Sequence, residues 1–416
     1  MKKRLIAIFA SLILVVTGGS MVGCSKSDDE TFSLNGISSN GGIGAVKDGY
    51  LYFIQAPTTA TTYTQEEGDL AGIYKVPVDE NGAMTGDPVL VYSCLAGNKL
   101  GQINIFGDYI YFSTPATGKY SSGETMTDRT TFARVKTDGT GYQKIYTGVT
   151  ASITSYAYYL VQDGNDTDLY LTLLEDKTLK SIEVGDNEVE VIDEEVLSVV
   201  FSENQGVGSE TDRHIYYTKS PAEDYVAQAG TNVYRAEPDG DKELISSGVD
   251  ITLLAIQHGY LYFKAGTTTY RTTYGNELGK QNPVLYQSFD EFIFTEDGGI
   301  IVKNKDVGSF CYYNWTSGSI VAGKLLDSTT HELMLVDRGY VYLLTSKDAI
   351  VRVELNTTHG ATAQKEVTVT SDTTYQAGDN LDYEVIGSTL YYYVKVMQKD
   401  DTGVERTSYS LKTIAL

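Results

Sequence analysis

The chain has 416 residues, with 32 Lys and Arg against 55 Asp and Glu, a formal charge of −23, and so lacks the basic face that nucleic-acid binding depends on. At roughly 150 residues per domain the length allows two or three domains or one large repeat fold. The 33 Tyr and 41 Gly beside 7 Pro and a single Trp favour the repeat, many short strands joined by glycine turns.

At the amino terminus Lys2, Lys3 and Arg4 precede the apolar run Leu5 to Val16, the basic and apolar regions of a secretory signal. That run falls short of the about 20 apolar residues a membrane span needs. Met21-Val22-Gly23-Cys24 follows and resembles the bacterial lipobox, with Met21 where Leu is usual. The resemblance implies cleavage after Gly23, a diacylglyceryl group on the Cys24 thiol and retention on the outer face of a cell membrane. Residues 1–23 then form the signal, the polar stretch 24–30 a lipidated tether, and 31–416 one folded domain. Losing Lys2, Lys3 and Arg4 leaves 29 cationic against 55 acidic side chains, a charge of −26. Such a charge favours cationic partners, or cation-bridged contact with an acidic wall. Cys94 and Cys311 stand far apart in apolar, strand-like contexts and read as buried thiols, not a disulfide.

From residue 48 onward a Tyr-rich strand recurs eight times after a Gly or Asp turn, as in Asp48-Gly-Tyr-Leu-Tyr-Phe53, Gly107-Asp-Tyr-Ile-Tyr-Phe112 and His258-Gly-Tyr-Leu-Tyr-Phe263. Aligned on Tyr52, Tyr111, Tyr170, Tyr216, Tyr262, Ile301, Tyr342 and Tyr391, the copies are spaced by 59, 59, 46, 46, 39, 41 and 49 residues. These periods fit four-stranded propeller blades. A second strand alternates apolar residues with a basic one (Ile73-Tyr-Lys-Val76, Phe132-Ala-Arg-Val135, Val233-Tyr-Arg-Ala236, Ile350-Val-Arg-Val353, Ser410-Leu-Lys412) and runs into turns such as Asn81-Gly82, Asp138-Gly139 and Asp239-Gly240. Val89 to Tyr92 exemplifies the next strand, and Gln102 to Phe106 the one before the following Tyr strand. The prediction is an all-β chain, an eight-bladed β-propeller of four-stranded blades. Its carboxyl terminus supplies only the third strand of the last blade, so the ring is expected to close through Thr31 to Gly36. Seven blades is the alternative, because the sixth copy, Asp297 to Val302, lacks Tyr and sits in the tightest spacing.

The Gly-Asp-Tyr-Ile-Tyr-Phe strand, with its basic partner and Asp-Gly turn, resembles the bacterial propellers related to the low-density-lipoprotein-receptor type. That family is common as lipid-anchored proteins of unknown function in Gram-positive bacteria. The resemblance spans nearly all of 31–416 and implies fold and location only. No Tyr-Trp-Thr-Asp signature occurs, so receptor ligand preferences do not carry over.

Motifs of catalysis are scarce. The four His residues are isolated from one another, with His214 and His258 opening repeat strands, where turn or rim positions are expected. Gly318 to Lys324 matches Gly-x4-Gly-Lys, but Leu325 stands where magnesium ligation needs Ser or Thr, and the segment reads as a strand. Asp163, Asn165, Asp166 and Asp168 crowd oxygen ligands as a weak Ca²⁺ candidate without the EF-hand Gly and Glu. A solvated turn is the competing reading, and no cofactor is expected.

Three blades carry long insertions after the Tyr strand, at Gln55 to Ala71, Ser113 to Thr131 and Ser220 to Thr231. Each holds one Tyr (Tyr63, Tyr120, Tyr225) among small polar and acidic residues, a composition that suits binding loops. Equivalent connections leave a propeller on one face, so the three are expected to share a rim. The expectation is a binding or protein-interaction module engaging a protein, cell-wall or glycan partner. The alternatives are a glycan-active hydrolase or lyase using the central face, and a purely structural envelope component.

Overall fold

The computed structural model describes residues 43–416 without 56–71, 95–102, 116–128, 150–151, 164–165, 202–213, 220–230, 250, 258–259, 267, 274–281, 286–291, 296–298, 305–307, 317–318, 328–330, 338, 346–348, 356–366, 371–382 and 400–404. All regular structure among these residues is antiparallel strand. Blade one comprises β1 (Gly44–Lys47), β2 (Tyr50–Gln55), β3 (Gly72–Pro77) and β4 (Val89–Ser93), and blade two β5 (Ile103–Phe106), β6 (Tyr109–Pro115), β7 (Arg129–Lys136) and β8 (Gln143–Val149). Blade three is β9 (Ile153–Asp163), β10 (Asp166–Glu175), β11 (Thr178–Glu183) and β12 (Val189–Asp193); blade four is β13 (Val196–Phe201), β14 (Ile215–Lys219), β15 (Thr231–Ala236) and β16 (Lys242–Val249). Blade five holds β17 (Ile251–Gln257), β18 (Tyr260–Ala265), β19 (Thr268–Thr273) and β20 (Asn282–Leu285), and blade six β21 (Phe292–Phe294), β22 (Ile300–Asn304), β23 (Ser309–Thr316) and β24 (Ser319–Asp327). Blade seven is β25 (His331–Asp337), β26 (Tyr340–Thr345), β27 (Ile350–Glu354) and β28 (Val367–Thr370), and the last is β29 (Tyr383–Ile386), β30 (Thr389–Lys399) and β31 (Glu405–Ala415).

Each sheet is an up-and-down meander in chain order, which makes an eight-bladed propeller with seven four-stranded sheets and a last one of three described strands. The sixth copy without Tyr is a full blade. Ser319 to Lys324 of the Gly-x4-Gly-Lys stretch lie in β24, paired with β23, and Gly318 lies outside the described residues. The closing strand expected from Thr31 to Gly36 lies outside the described residues.

The Tyr strands read as nearly continuous apolar runs because both faces are covered, one by each neighbouring blade. In β6, Ile110 and Phe112 pack with Tyr52 and Ile54 of blade one, while Tyr111 turns the other way onto Tyr158, Leu171 and Leu173 of blade three. The rings of Tyr111 and Tyr158 lie 5.4 Å apart. Outer strands have no such cover, and in β4 both Val89 and Leu90 are exposed.

The basic residue of the third strand has a defined place. Lys75, Arg134, Arg235, Arg271 and Arg352 each lie directly opposite the aligned Tyr of the second strand. Four of them also cover the Tyr two residues earlier: Lys75 on Tyr50 at 5.3 Å, Arg134 on Tyr109 at 4.5 Å, Arg271 on Tyr260 at 4.3 Å and Arg352 on Tyr340 at 4.7 Å. Each such contact contributes about 0.5–1 kcal/mol and shields a ring at the blade's turn. The last blade departs from this pattern, since Lys412 faces Tyr392 and Thr413 stands opposite the aligned Tyr391. Blade three departs further, with Glu183 opposite Tyr170.

First and last blades join through a mixed core in which Ile43, Val46, Leu51 and Phe53 pack with Ile386, Tyr391 and Tyr393. The Tyr391 hydroxyl donates to the Gly82 carbonyl and that of Tyr393 to the Ile54 carbonyl. Ser388 N donates to Asn81 O at 2.9 Å. Gly82 has φ 76°, and a Cβ there would lie 2.1 Å from the Ile386 carbonyl oxygen. The joint therefore requires Gly on two grounds, left-handed backbone and close approach. Gly82→Ala is expected to lower unfolding free energy by about 2 kcal/mol or more, to be read from denaturant midpoints against Gly49→Ala. Gly49 has φ 74° but open space around it, so the difference between the two variants isolates the contact across the joint.

Candidate functional site

Meander topology sorts the connections onto two faces. First-to-second and third-to-fourth strand turns share one face; second-to-third connections share the other. The long insertions leave from Gln55, Pro115 and Lys219 and return at Gly72, Arg129 and Thr231, all strand ends on the second face. The paired 11-residue strands β30 and β31 also extend towards it. By contrast, blade three makes this connection through Asp176 and Lys177, with φ 47° and 59°, a tight hairpin turn. Tyr63, Tyr120 and Tyr225 themselves lie outside the described residues, as do Cys24 and the Met21, Val22, Gly23 stretch before it.

Asp163 and Asp166 pair across the first turn of blade three, and Asn165 lies outside the described residues. Among the described residues no group of three or more His, Cys, Asp or Glu is placed to hold a metal ion. His214 is buried instead of on the rim, 3.6 Å from a Glu237 carboxylate oxygen. Cys94 and Cys311 are both free, and burial pushes the Cys94 thiol up to about 12, which leaves it a poor nucleophile at neutral pH.

Two buried carboxylates that join blades also hold lysines. Glu175 of blade three accepts from Lys180 Nζ at 2.6 Å, from Val149 N of blade two at 2.7 Å and from the Tyr146 hydroxyl. Asp193 accepts from Lys219 Nζ at 2.6 Å and the Tyr217 hydroxyl at 2.8 Å, both of blade four, with Lys242 Nζ at 3.3 Å. Burial would raise the Asp193 carboxyl, but the Lys219 and Tyr217 hydrogen bonds outweigh it and hold the group below the usual carboxylate range. Their acceptor sites are filled, so both carboxylates are structural.

A different arrangement lies on the turn face, where the β11–β12 hairpin of blade three meets the Asp239-Gly240 turn of blade four. A cleft of about 370 Å³ opens there, lined by Tyr170, Ser181, Glu183, Asp186, Glu188, Val189, Glu190 and Asp239. Strand alternation builds it. Leu179, Ser181 and Glu183 share the face of β11 that points towards blade four, where Leu179 packs with Ile215 and Tyr217. Thr172, Ser181 and Glu190 stand in register across β10, β11 and β12. Blade four closes the side: a Cβ on Gly240 would come 2.9 Å from a Glu190 carboxylate oxygen.

Among the described residues the lining holds five carboxylates and no Lys, Arg or His. Its field is visible in two groups. Burial, followed by the charges of Asp168 and Asp186, raises the Glu183 carboxyl above its ordinary value. Burial, followed by Glu183, Asp168, Asp239 and Glu190, pushes the Tyr170 hydroxyl up to about 12. At the floor Ser181 is 1% exposed, and its Oγ finds no hydrogen-bond partner among the described residues. Sequence reading missed this cleft. Its signal was the acid-dense stretch Glu183, Asp186, Glu188, Glu190 in a blade whose third strand carries Glu183 where blades one, two, four, five and seven carry Lys or Arg.

No family model matches the chain, and no curated protein matches it. Among solved structures it is similar to a prolyl endopeptidase, with TM-score 0.43 and 11% identity over 91% of this chain and 53% of that one. The chain thus spans about half the length of that peptidase. It is also similar to YCF48 bound to a D1 peptide (TM-score 0.40, 9% identity, 74% of this chain and 90% of that one). A third match is the uncharacterized protein lmo1340 from Listeria monocytogenes EGD-e (TM-score 0.38, 12% identity, 68% and 87%). At such distances no activity transfers, and the identity of the chain rests on its own sheets: it is an eight-bladed β-propeller.

Proposed function

We propose that this chain is a binding module, held on the outer face of a bacterial cell membrane by a lipid on Cys24, whose second-to-third strand face engages a protein or cell-wall partner. The observation that carries the reading is the sorting of connections: the strand ends bordering all three long insertions lie on one face of a closed ring. A ring braced by buried interblade ion pairs is a rigid platform, and loops on a rigid scaffold are where propellers place recognition. Tyr63, Tyr120 and Tyr225 supply one amphipathic ring to each insertion at low entropy cost.

Crosslinking and capture from native envelope, with parent protein and a variant carrying Tyr63→Ala, Tyr120→Ala and Tyr225→Ala together, tests this. A partner captured by the parent and reduced about tenfold or more by the folded variant is the expected result, since three buried aromatic contacts of about 1 kcal/mol or more each would be lost. Equal capture by both proteins discards the Tyr rim. Turnover of wall glycan by the purified protein would replace this reading with the enzymatic one.

A further inference from the structure

We propose that the cleft between blades three and four is a binding site for a linear organic polyammonium ion of the polyamine class. It lies on the face opposite the insertions and does not depend on the partner proposed for them.

Two independent observations meet there. The first is the sign of the lining: among the described residues five carboxylates line the cleft and no cationic side chain is part of that lining. The nearby lysines are turned elsewhere, Lys180 onto Glu175 and Lys242 onto Asp193. The second is the Ser181 hydroxyl, buried at the floor with no partner among the described residues. Buried hydroxyls are seldom left so, because an unmade hydrogen bond is costly away from water. An ammonium N–H donated to Ser181 Oγ satisfies it, and Glu190, in register with Ser181 on the next strand, supplies the counter-charge alongside.

The spread of the carboxylates decides the kind of cation. A bare divalent ion needs several oxygens converging on one point, and no described group of three acidic side chains converges in that way. The acids instead follow the walls, with Glu183 and Glu190 on the two strands, Glu188 at their hairpin and Asp239 on the opposing blade. That distribution matches amines separated by methylene segments, and Val189 with the Tyr170 ring provides apolar surface for the methylenes. Ammonium groups are also attracted to the ring face. The cleft volume of about 370 Å³ falls in the range of small-molecule sites.

The test is equilibrium binding of spermidine to the full-length protein in mild detergent at physiological ionic strength, by titration calorimetry. The variants are Ser181→Ala and the pair Glu183→Gln with Glu190→Gln, each checked for native circular dichroism. One saturable site per chain is expected, weakened about tenfold or more by the paired change and several-fold by Ser181→Ala. Trilysine and Mg²⁺ are run as competitors at matched ionic strength, and spermidine should outcompete both. The proposal is overturned by no saturable binding up to about 1 mM, or by an affinity that the folded paired variant retains, which would make the attraction a property of net charge alone. Displacement by Mg²⁺ as effective as by spermidine itself would also overturn it, in favour of a diffuse field, as would tighter binding of trilysine, in favour of a peptide.

Discussion

Asp193→Ala is expected to lower the unfolding free energy by about 3 kcal/mol, the scale of breaking a buried ion pair by removing one partner. The carboxylate is 8% exposed and takes Lys219, Lys242 and the Tyr217 hydroxyl at once. Removing it strands Tyr217, which is fully buried, and leaves the two ammonium groups facing each other. Lys219 and Lys242 are partly solvated, so water recovers some of the loss, which places it at the lower end of the range for buried pairs. The pH dependence has a sign. The folded-state pKa of Asp193 is depressed, so its contribution is fully present above the unfolded value of about 3.9 and fades as pH falls through the lower folded value. The lead of wild type over Asp193→Ala in denaturant unfolding should therefore hold at neutral pH and shrink below about pH 4. A lead of under about 0.5 kcal/mol at pH 7 would mark the cluster as an exposed surface pair.

What could be read before the fold was known divides by range. Blade number, strand order and the basic partner of most Tyr strands were legible because they repeat locally: a period-two pattern, an Asp-Gly turn and a Tyr recur within one blade's length. Arg134 opposite Tyr111 needed only hairpin register. The carboxylates that matter were not legible, because each acts across a seam between blades. Glu175 meets Tyr146 of the preceding blade, Asp193 meets Lys219 of the next, and Glu384 reaches Gly44 of the first blade from the last. On so acidic a chain no local feature separates these residues from solvated ones. The cleft is intermediate. Its acids were visible as a run, and Glu183 was visible as a break in the basic pattern, but Ser181 and Asp239 join it only through the packing of blade three on blade four. His214 shows the same limit, since its burial is set by tertiary contacts and not by its place at a strand start.

Glu384→Gln is expected to stabilise the protein at alkaline pH while leaving it unchanged in acid. Glu384 sits on the innermost strand of the last blade, 4% exposed, and its Oε2 accepts from Gly44 N of the first blade at 2.9 Å. Burial pushes its carboxyl up to about 8, against the smaller opposing effect of backbone N–H groups of Gly44 and Ile43. The folded state thus keeps a proton that the unfolded chain releases near pH 4.3, and where the native state binds more protons, stability falls as pH rises. The penalty is absent below about pH 4, grows through the window between the unfolded and folded values, and levels off above about pH 8 at roughly 5 kcal/mol, because each tenfold difference in proton affinity between the two states is worth about 1.4 kcal/mol. Gln is neutral throughout and keeps an acceptor for Gly44. Wild type and Glu384→Gln should unfold at the same denaturant concentration at pH 4 and diverge steadily to pH 8, with the variant ahead. Amide exchange in β1 should slow in the variant over the same range, because the effect is centred on the seam that closes the ring. Parallel stability curves would show that this carboxyl is ionised and hydrated in the native protein, and that the seam is held by the apolar core of Ile43, Phe53, Ile386 and Tyr391 without any titrating latch.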